Sequence, residues 1–413
     1  MILSQNDISI LQELAKEYMQ YATLPLQQKK KELWLALNRF EMQRPMIVID
    51  QIPWHEMDVD GFLKNQVNHP YWAMVETALR QSIYKWKYMP ADMVLPPYIM
   101  LPRLIQNSGY GIMVEEERLA SDTANDVVGH KFYNQFEEME DVEKIVTPTI
   151  SVNRKGEQEI IEIAETIFKG IAPFKMQGHT VHLGLWDAIT QWMGVENCYI
   201  ELMDRPELMH AIMDKLTNST IGMIEQMNKE GVFDAYSNVC HCSYTFTDDL
   251  PSSSCNLDNP TSKDVWAFGL AQLFSSVSPA ITDEFEVPYM QKLFPYFGAI
   301  YYGCCDRLDD RLDIITKMPN IRKISCSPWS NREEFARKLQ KNYIMSNKPN
   351  PALLATDSMS EQEIRADIRR TMKAAKDNNV NLELIIKDIS TVRYEPQRLW
   401  KWSQIALEEA ENY

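Results

Sequence analysis

Pro45-Met-Ile-Val-Ile-Asp50 is a short apolar run that ends in an acid. A strand buried on both faces reads as a continuous apolar stretch, and a polar residue at its end is delivered to the C-terminal edge of a parallel sheet. The same form recurs along the chain. Asp92 to Leu95, Gly111 to Val114, Thr180 to Leu183, Val232 to Tyr236, Gly298 to Tyr302, Ile321 to Ser325, Tyr343 to Ser346 and Leu382 to Ile386 are further strand candidates. Apolar residues at helical spacing predict helices over Gln158 to Lys169, Pro206 to Lys229, Arg332 to Gln340, Glu361 to Asn378 and Pro396 to Glu411. Strands alternating with helices imply parallel pairing through crossover connections, an α/β fold. The expected architecture is a (β/α)8 TIM barrel, with residues 1–413 forming one domain.

Ahead of the first strand, Ile8, Leu11, Leu14, Tyr18 and Tyr21 recur at spacings of three and four, so residues 1–43 form an N-terminal helical extension. Nine strand candidates exceed the eight of a closed barrel, so one early strand is surplus. The irregular stretch from Ile99 to Ile150 is expected to hold a hairpin or excursion. With 14 glycines and no Gly-rich phosphate loop, a doubly wound nucleotide-binding fold is the weaker architecture.

Hydrophobic residues make up 45% of the chain and charged ones 24%, a balance that supplies a large core without a disordered segment. The net charge of −16 repels a phosphate backbone, which argues against nucleic acid as a partner. Lys29 to Lys31, the basic cluster, reads as a solvated helix start. Met1 to Asp7 lack the features of a secretion signal and no run of about 18 apolar residues occurs, so no membrane association and a cytoplasmic location are expected. In that reducing compartment the seven cysteines are thiols or metal ligands rather than a disulfide framework.

Two strand ends concentrate the chemistry. Asp234-Ala-Tyr-Ser-Asn-Val-Cys-His-Cys242 runs into three ligands in succession, and Tyr301-Tyr-Gly-Cys-Cys-Asp306 ends a strand in adjacent cysteines. Imidazole and thiolate together suit zinc, so the candidate metal ligands are Cys240, His241, Cys242, Cys304 and Cys305. The competing reading is that these are buried thiols, since cysteine packs well in cores. On an extended strand Cys240 and Cys242 share a face and His241 turns away, so at most three of the five bind together. Cys326 is a reserve ligand or a buried thiol beneath Trp329. His179 and Asp50 are candidate acid-base groups at strand ends, with a surface position as the alternative for His179. Trp54 and His55, after the first strand, form a substrate-facing or simply packed loop, and Tyr236 and Tyr302 are candidate substrate contacts at the mouth.

Ser276-Val-Ser-Pro-Ala280, Asp283-Glu-Phe285, Pro288-Tyr289 and Tyr302-Gly-Cys-Cys-Asp306 together resemble the uroporphyrinogen decarboxylase superfamily, in particular a divergent Tyr-Gly-Cys-Cys branch related to corrinoid-dependent methyltransferases. Arg44-Pro45 with Asp50-Gln-Ile-Pro-Trp-His-Glu56, Pro319 to Trp329, Lys387-Asp-Ile-Ser-Thr-Val392 and Pro396-Gln-Arg-Leu-Trp400 extend the likeness over nearly the whole chain. The resemblance implies a (β/α)8 barrel and either metal-free tetrapyrrole decarboxylation or zinc-dependent methyl transfer. Arg44 to Glu56 lacks the arginine-rich signature of the decarboxylases. The methyltransferases end the comparable strand in His-x-Cys and add a distant third Cys. Here Tyr302 stands at the His position, and the later strand end, Ser346-Asn-Lys-Pro-Asn-Pro351, has no Cys, so only Cys304 carries over.

The resemblance therefore implies a zinc-dependent methyltransferase that passes a methyl group from a small methylated substrate to the cobalt of a corrinoid (cobalamin) on a partner protein. The alternatives are a metal-independent decarboxylase or lyase acting on a carboxylated small molecule or tetrapyrrole, and a non-catalytic corrinoid- or metal-binding protein. The identities of methyl donor and acceptor and the existence of a homodimer stay open.

Overall fold

The structure, a computed structural model, describes residues 3–120, 128–236, 238–257 and 259–413. Met1 and Ile2 of the N-terminal start, residues 121–127 of the irregular stretch and Ser237 of the cysteine-rich segment lie outside the described residues. Among the described residues, seven strands form one parallel sheet: β1 (Met46–Ile49), β2 (His182–Leu183), β3 (Trp266–Gly269), β4 (Ala299–Tyr302), β5 (Ile321–Cys326), β6 (Ile344–Asn347) and β7 (Asn381–Ile386). Their order in space is β1-β7-β6-β5-β4-β3-β2. From β2 to β7 each strand lies beside its neighbour in sequence, and β1 returns to lie beside β7. A doubly wound sheet reverses its strand order partway, and this one does not.

Among the described residues no ladder joins β1 to β2. Ile99–Pro102 instead pairs with Phe174–Gln177 as a separate parallel piece, and Asp92 N–H reaches Ile47 O at 3.0 Å. Pro96 and Pro97, between Asp92 and that piece, offer no N–H to a ladder. Asp92 to Leu95, Gly111 to Val114 and Val232 to Tyr236 are turns and loops rather than strands, and β3 stands where no strand was expected. The irregular stretch does contain an antiparallel pair, Glu116–Leu119 with Gly129–Phe132.

Side chains alternate across the sheet. Ile47, Ile49, Ile300, Tyr302, Ile324, Leu384 and Ile386 pack with the helices, including Phe335, Ile368 and Leu399. Met46, Val48, Trp266, Phe268, Tyr301, Ile344 and Ile385 form a second core on the opposite face. That face receives a small hairpin, Val239–Cys240 paired with Ser243–Tyr244. The N-terminal helices Gln5–Ala22 and Pro25–Asn38 support the assembly. Ser4 and Asp7 form a reciprocal cap at the start of the first. From the second, Asn38 donates to the carbonyls of Tyr244 (3.2 Å) and Phe246 (2.6 Å), fixing the hairpin from outside. Lys30 is not the solvated residue expected: it is buried and donates to Ala91 O at 2.6 Å. Among the described residues no helix is long and apolar enough to cross a membrane.

Candidate metal centre and thiolate corner

The hairpin leaves His241 and Cys242 as its two corner residues. His241 takes φ 53°, the left-handed conformation that a two-residue hairpin loop demands at its first corner. The alternation of an extended strand therefore does not apply, and the turn sends three neighbours three ways. Cys240 is buried in the apolar core, where burial pushes its thiol up. The Cys242 thiol lies 3.5 Å from the Tyr301 hydroxyl. The His241 ring stacks on Phe268, centroids 3.9 Å apart and planes within 6°, and faces the end of β4. His182 stacks on the same Phe268 at 4.9 Å.

At the end of β4, Gly303 takes φ 85°, and a Cβ there would lie 2.6 Å from Leu308. The bend presents Cys304, whose N–H donates to Asp306 Oδ1 (2.7 Å) and whose carbonyl accepts from Ser325 Oγ (2.6 Å). Cys304 Sγ lies 3.7 Å from His241 Nε2 and 3.5 Å from Cys305 Sγ. Lys387, the residue after β7, donates to Cys304 Sγ at 2.8 Å and lies 3.0 Å from His241 Nε2. Next to it, Asp388 accepts from Cys305 Sγ at 2.8 Å. The ligand atoms of Cys304, Cys305 and Asp388 all lie within 4.8 Å of one another.

The charges follow from these contacts. The hydrogen bond from Cys305 holds the Cys304 thiol far below its usual value, outweighing burial, and His241 and Lys387 add to the effect. Cys305 is pushed up in turn by that bond, by burial and by Asp388. Burial works against a charge on His241, yet its hydrogen bonds to Cys242 and Cys304 raise it to about 9. The Cys304 sulfur, shifted toward its thiolate form, lies within reach of both the His241 imidazole and the Lys387 ammonium. The carboxyls behind it are shifted the other way. Asp306 rises to about 6 through burial and the Cys304 charge, and Asp187 to about 7 through burial, Asp306 and Cys304. Glu286 is raised by burial and accepts from Tyr302 OH at 3.1 Å.

Beneath the corner, buried polar contacts bind the hairpin to the sheet. Lys323 Nζ donates to Glu383 Oε2 (2.8 Å), Ser243 Oγ (2.7 Å) and Tyr244 O (3.0 Å). Lys348 donates to Tyr301 OH and to Ser346 Oγ (2.7 Å), and Tyr301 OH lies 2.8 Å from Ser346 Oγ. Lys323 is balanced by the Glu383 carboxylate, whereas Lys348 is met by hydroxyl and carbonyl oxygens.

Of the five candidate metal ligands, the fold brings His241, Cys304 and Cys305 together, holds Cys242 against Tyr301, and sends Cys240 into the core. His179 lines a small cavity with Asp234, Cys240 and Trp266 on the other side of the hairpin. Asp50 follows β1, its N–H on Ile386 O at 3.0 Å. Trp54 packs edge-on against Tyr84 and His55 against Tyr394, while the neighbouring Glu56 accepts from Thr391 Oγ1 (2.7 Å) and Val392 N (2.6 Å), tying that loop to the one after Lys387. Tyr302 points to the helix side and Tyr236 lies against Lys175. Cys326 is buried, its thiol raised to about 12, while Trp329 is exposed. Residue-level reading missed Lys387 and Asp388 as site members. Their signal was present: a Lys-Asp pair directly after the apolar run Leu382 to Ile386 obeys the same strand-end rule as Asp50.

No known family profile matches the chain and no curated protein is detectably similar to it. Among solved structures it is similar to a methyltransferase from Methanosarcina mazei, at 12% identity over 92% of this chain and 98% of that one, with a TM-score of 0.49.

Proposed function

We propose that the protein is an enzyme, a zinc-dependent methyltransferase that moves a methyl group from a small methylated substrate to the corrinoid of a partner protein. The observation that carries this reading is the convergence of Cys304, Cys305 and Asp388 beside His241. Thiolate and carboxylate are zinc donors, and the 3.5 Å between Cys304 Sγ and Cys305 Sγ is near the edge of a tetrahedron with Zn–S bonds of about 2.3 Å. Cys304, Cys305 and Asp388 would hold the ion, leaving a position open. Bound there, zinc supplies Lewis acidity toward the heteroatom that carries the methyl group. The chain's own groups do the rest. His241, with Nε2 beside Cys304 and Lys387, could exchange a proton with the departing heteroatom. Lys387 offsets the thiolate charge, and the exposed His182 beside Phe268 forms a flat wall. The unreversed strand order supports a (β/α)8 barrel, with this corner at its C-terminal mouth.

A second reading has its own observation. Lys387 Nζ, 2.8 Å from Cys304 Sγ, already neutralises the thiolate, as a metal would. That favours metal-independent decarboxylation or lyase chemistry on a carboxylated small molecule. Metal content decides between the two, measured on tag-free protein purified without added metal. About one zinc per chain, lost in Cys304→Ser and in Asp388→Ala, is expected, followed by methyl transfer to a free corrinoid. Wild-type protein without stoichiometric zinc overturns the methyltransferase reading and leaves the metal-free one.

A further inference from the structure

Across the hairpin from the thiols, Lys175 lies between two tyrosines. Its Nζ is 3.1 Å from the ring centroid of Tyr236 and 4.6 Å from that of Tyr98. Asp234 adds a carboxylate whose charge acts on Lys175. The walls come from two parts of the chain, Tyr98 from one and the Asp234–Tyr236 loop from the other, and that loop is held firmly. Asp234 Oδ1 accepts from Tyr236 N–H at 2.6 Å and Oδ2 from Gly178 N–H at 3.3 Å. Gly178 lies so close that a Cβ there would meet the Asp234 backbone nitrogen at 2.5 Å. The loop carrying Asp234 and Tyr236 is thereby clamped to the end of the Phe174–Gln177 strand.

We propose that Tyr98, Tyr236 and Asp234 form a binding site for a small alkylammonium cation, whose place Lys175 takes in this structure. Two ring faces and a nearby carboxylate attract an ammonium through the ring quadrupoles and through direct charge, and the Lys175 ammonium demonstrates the fit. Lysine is a poor permanent occupant, because its stem rotates freely and its strongly hydrated head gains as much from water. Tyr236 is also 39% exposed and, with Tyr98, lines a cavity of about 770 Å³ shared with Pro96, Ala235 and Asn238. A cation entering from solvent therefore has room for its substituents once Lys175 swings away. The chain's net charge of −16 favours its approach. The site is independent of the methyl-transfer reading, since it uses none of the thiol corner's residues.

Lys175 is then an intramolecular competitor at an effective concentration of about millimolar, which weakens binding to the wild type. Calorimetric titration with tetramethylammonium tests this on the full chain, with neopentyl alcohol as the neutral control of similar shape. Lys175→Met and Lys175→Gln are expected to bind tetramethylammonium about tenfold more tightly than wild type, a gain typical of one released cation–π contact. Adding Tyr236→Leu to either variant should abolish binding, and neopentyl alcohol should not bind. The proposal is overturned if neither lysine variant, with its melting temperature kept, shows saturable binding, or if the alcohol binds as well as the cation.

Discussion

Cys304 owes its ionisation first to the hydrogen bond from Cys305, and then to two neighbours from distant parts of the chain. Lys387 lies 83 residues away and His241 lies 63 residues away, yet both reach its sulfur. Removing the Lys387 ammonium leaves the thiolate with less compensation in a buried place, so its pKa rises. In chelator-treated protein, wild-type Cys304 is expected to react with iodoacetamide at a rate that stays level from pH 8 to pH 6. In Lys387→Met the rate should begin to fall at a higher pH than in wild type, the thiolate having lost one of the cations that hold its pKa down. Peptide mass spectrometry of the alkylated site reads the rate, and a Lys387→Met profile identical to wild type refutes the assigned role. Cys305, raised rather than lowered, should stay unlabelled at pH 6 in both.

The hairpin is the element that assembles the site, and its hold on the sheet is polar. Lys323 and Glu383 are fully buried, 2.8 Å apart, and Lys323 also holds Ser243 and Tyr244. Lys323→Met strands the Glu383 carboxylate without a cation and should destabilise the protein by about 3–5 kcal/mol. Adding Glu383→Leu should recover a good part of that loss, because two apolar groups leave no buried charge. Urea unfolding of the single and double variants checks both numbers, and a double variant no more stable than the single one contradicts the argument. The same element shows how far periodicity reaches. Val232 to Tyr236 has the composition of a strand, but Asp234 captures the Tyr236 and Gly178 N–H groups and bends the segment into a loop. Trp266–Gly269 went unread because a run of four residues is too short to show a period of its own, even with Asn259-Pro260 ahead of it and Gly269 at its end.

Over the whole molecule, the buried carboxyls tie stability to pH. Asp187 rises from 3.8 to about 7, so the folded chain binds its proton more tightly than the unfolded one. Its contribution is fully present below about pH 4 and is lost as pH climbs through about 7. Asp306, raised to about 6, acts in the same direction over a narrower window. Asp187→Asn cannot ionise, so it should flatten the decline between pH 5 and pH 8 and leave the variant more stable at pH 8, by up to about 4 kcal/mol. Denaturation at the two pH values measures it, and a variant whose stability falls with pH as steeply as wild type rules the assignment out.

The sequence by itself determined much of the alternation of strands and helices, the five main helices to within a few residues, and the strand that ends just before Gly303 and Cys304. Those features follow from burial pattern and from the rule that a buried strand turns polar where it leaves the sheet, both readable over a few neighbouring residues. Only the tertiary structure decided that His241 turns toward Cys304 while Cys240 does not, that Lys387 and Asp388 complete the corner, and that no ladder joins β1 to β2 among the described residues. Each of these depends on the φ of one corner residue or on contacts between positions as far apart as 146 residues, and no local periodicity carries that information.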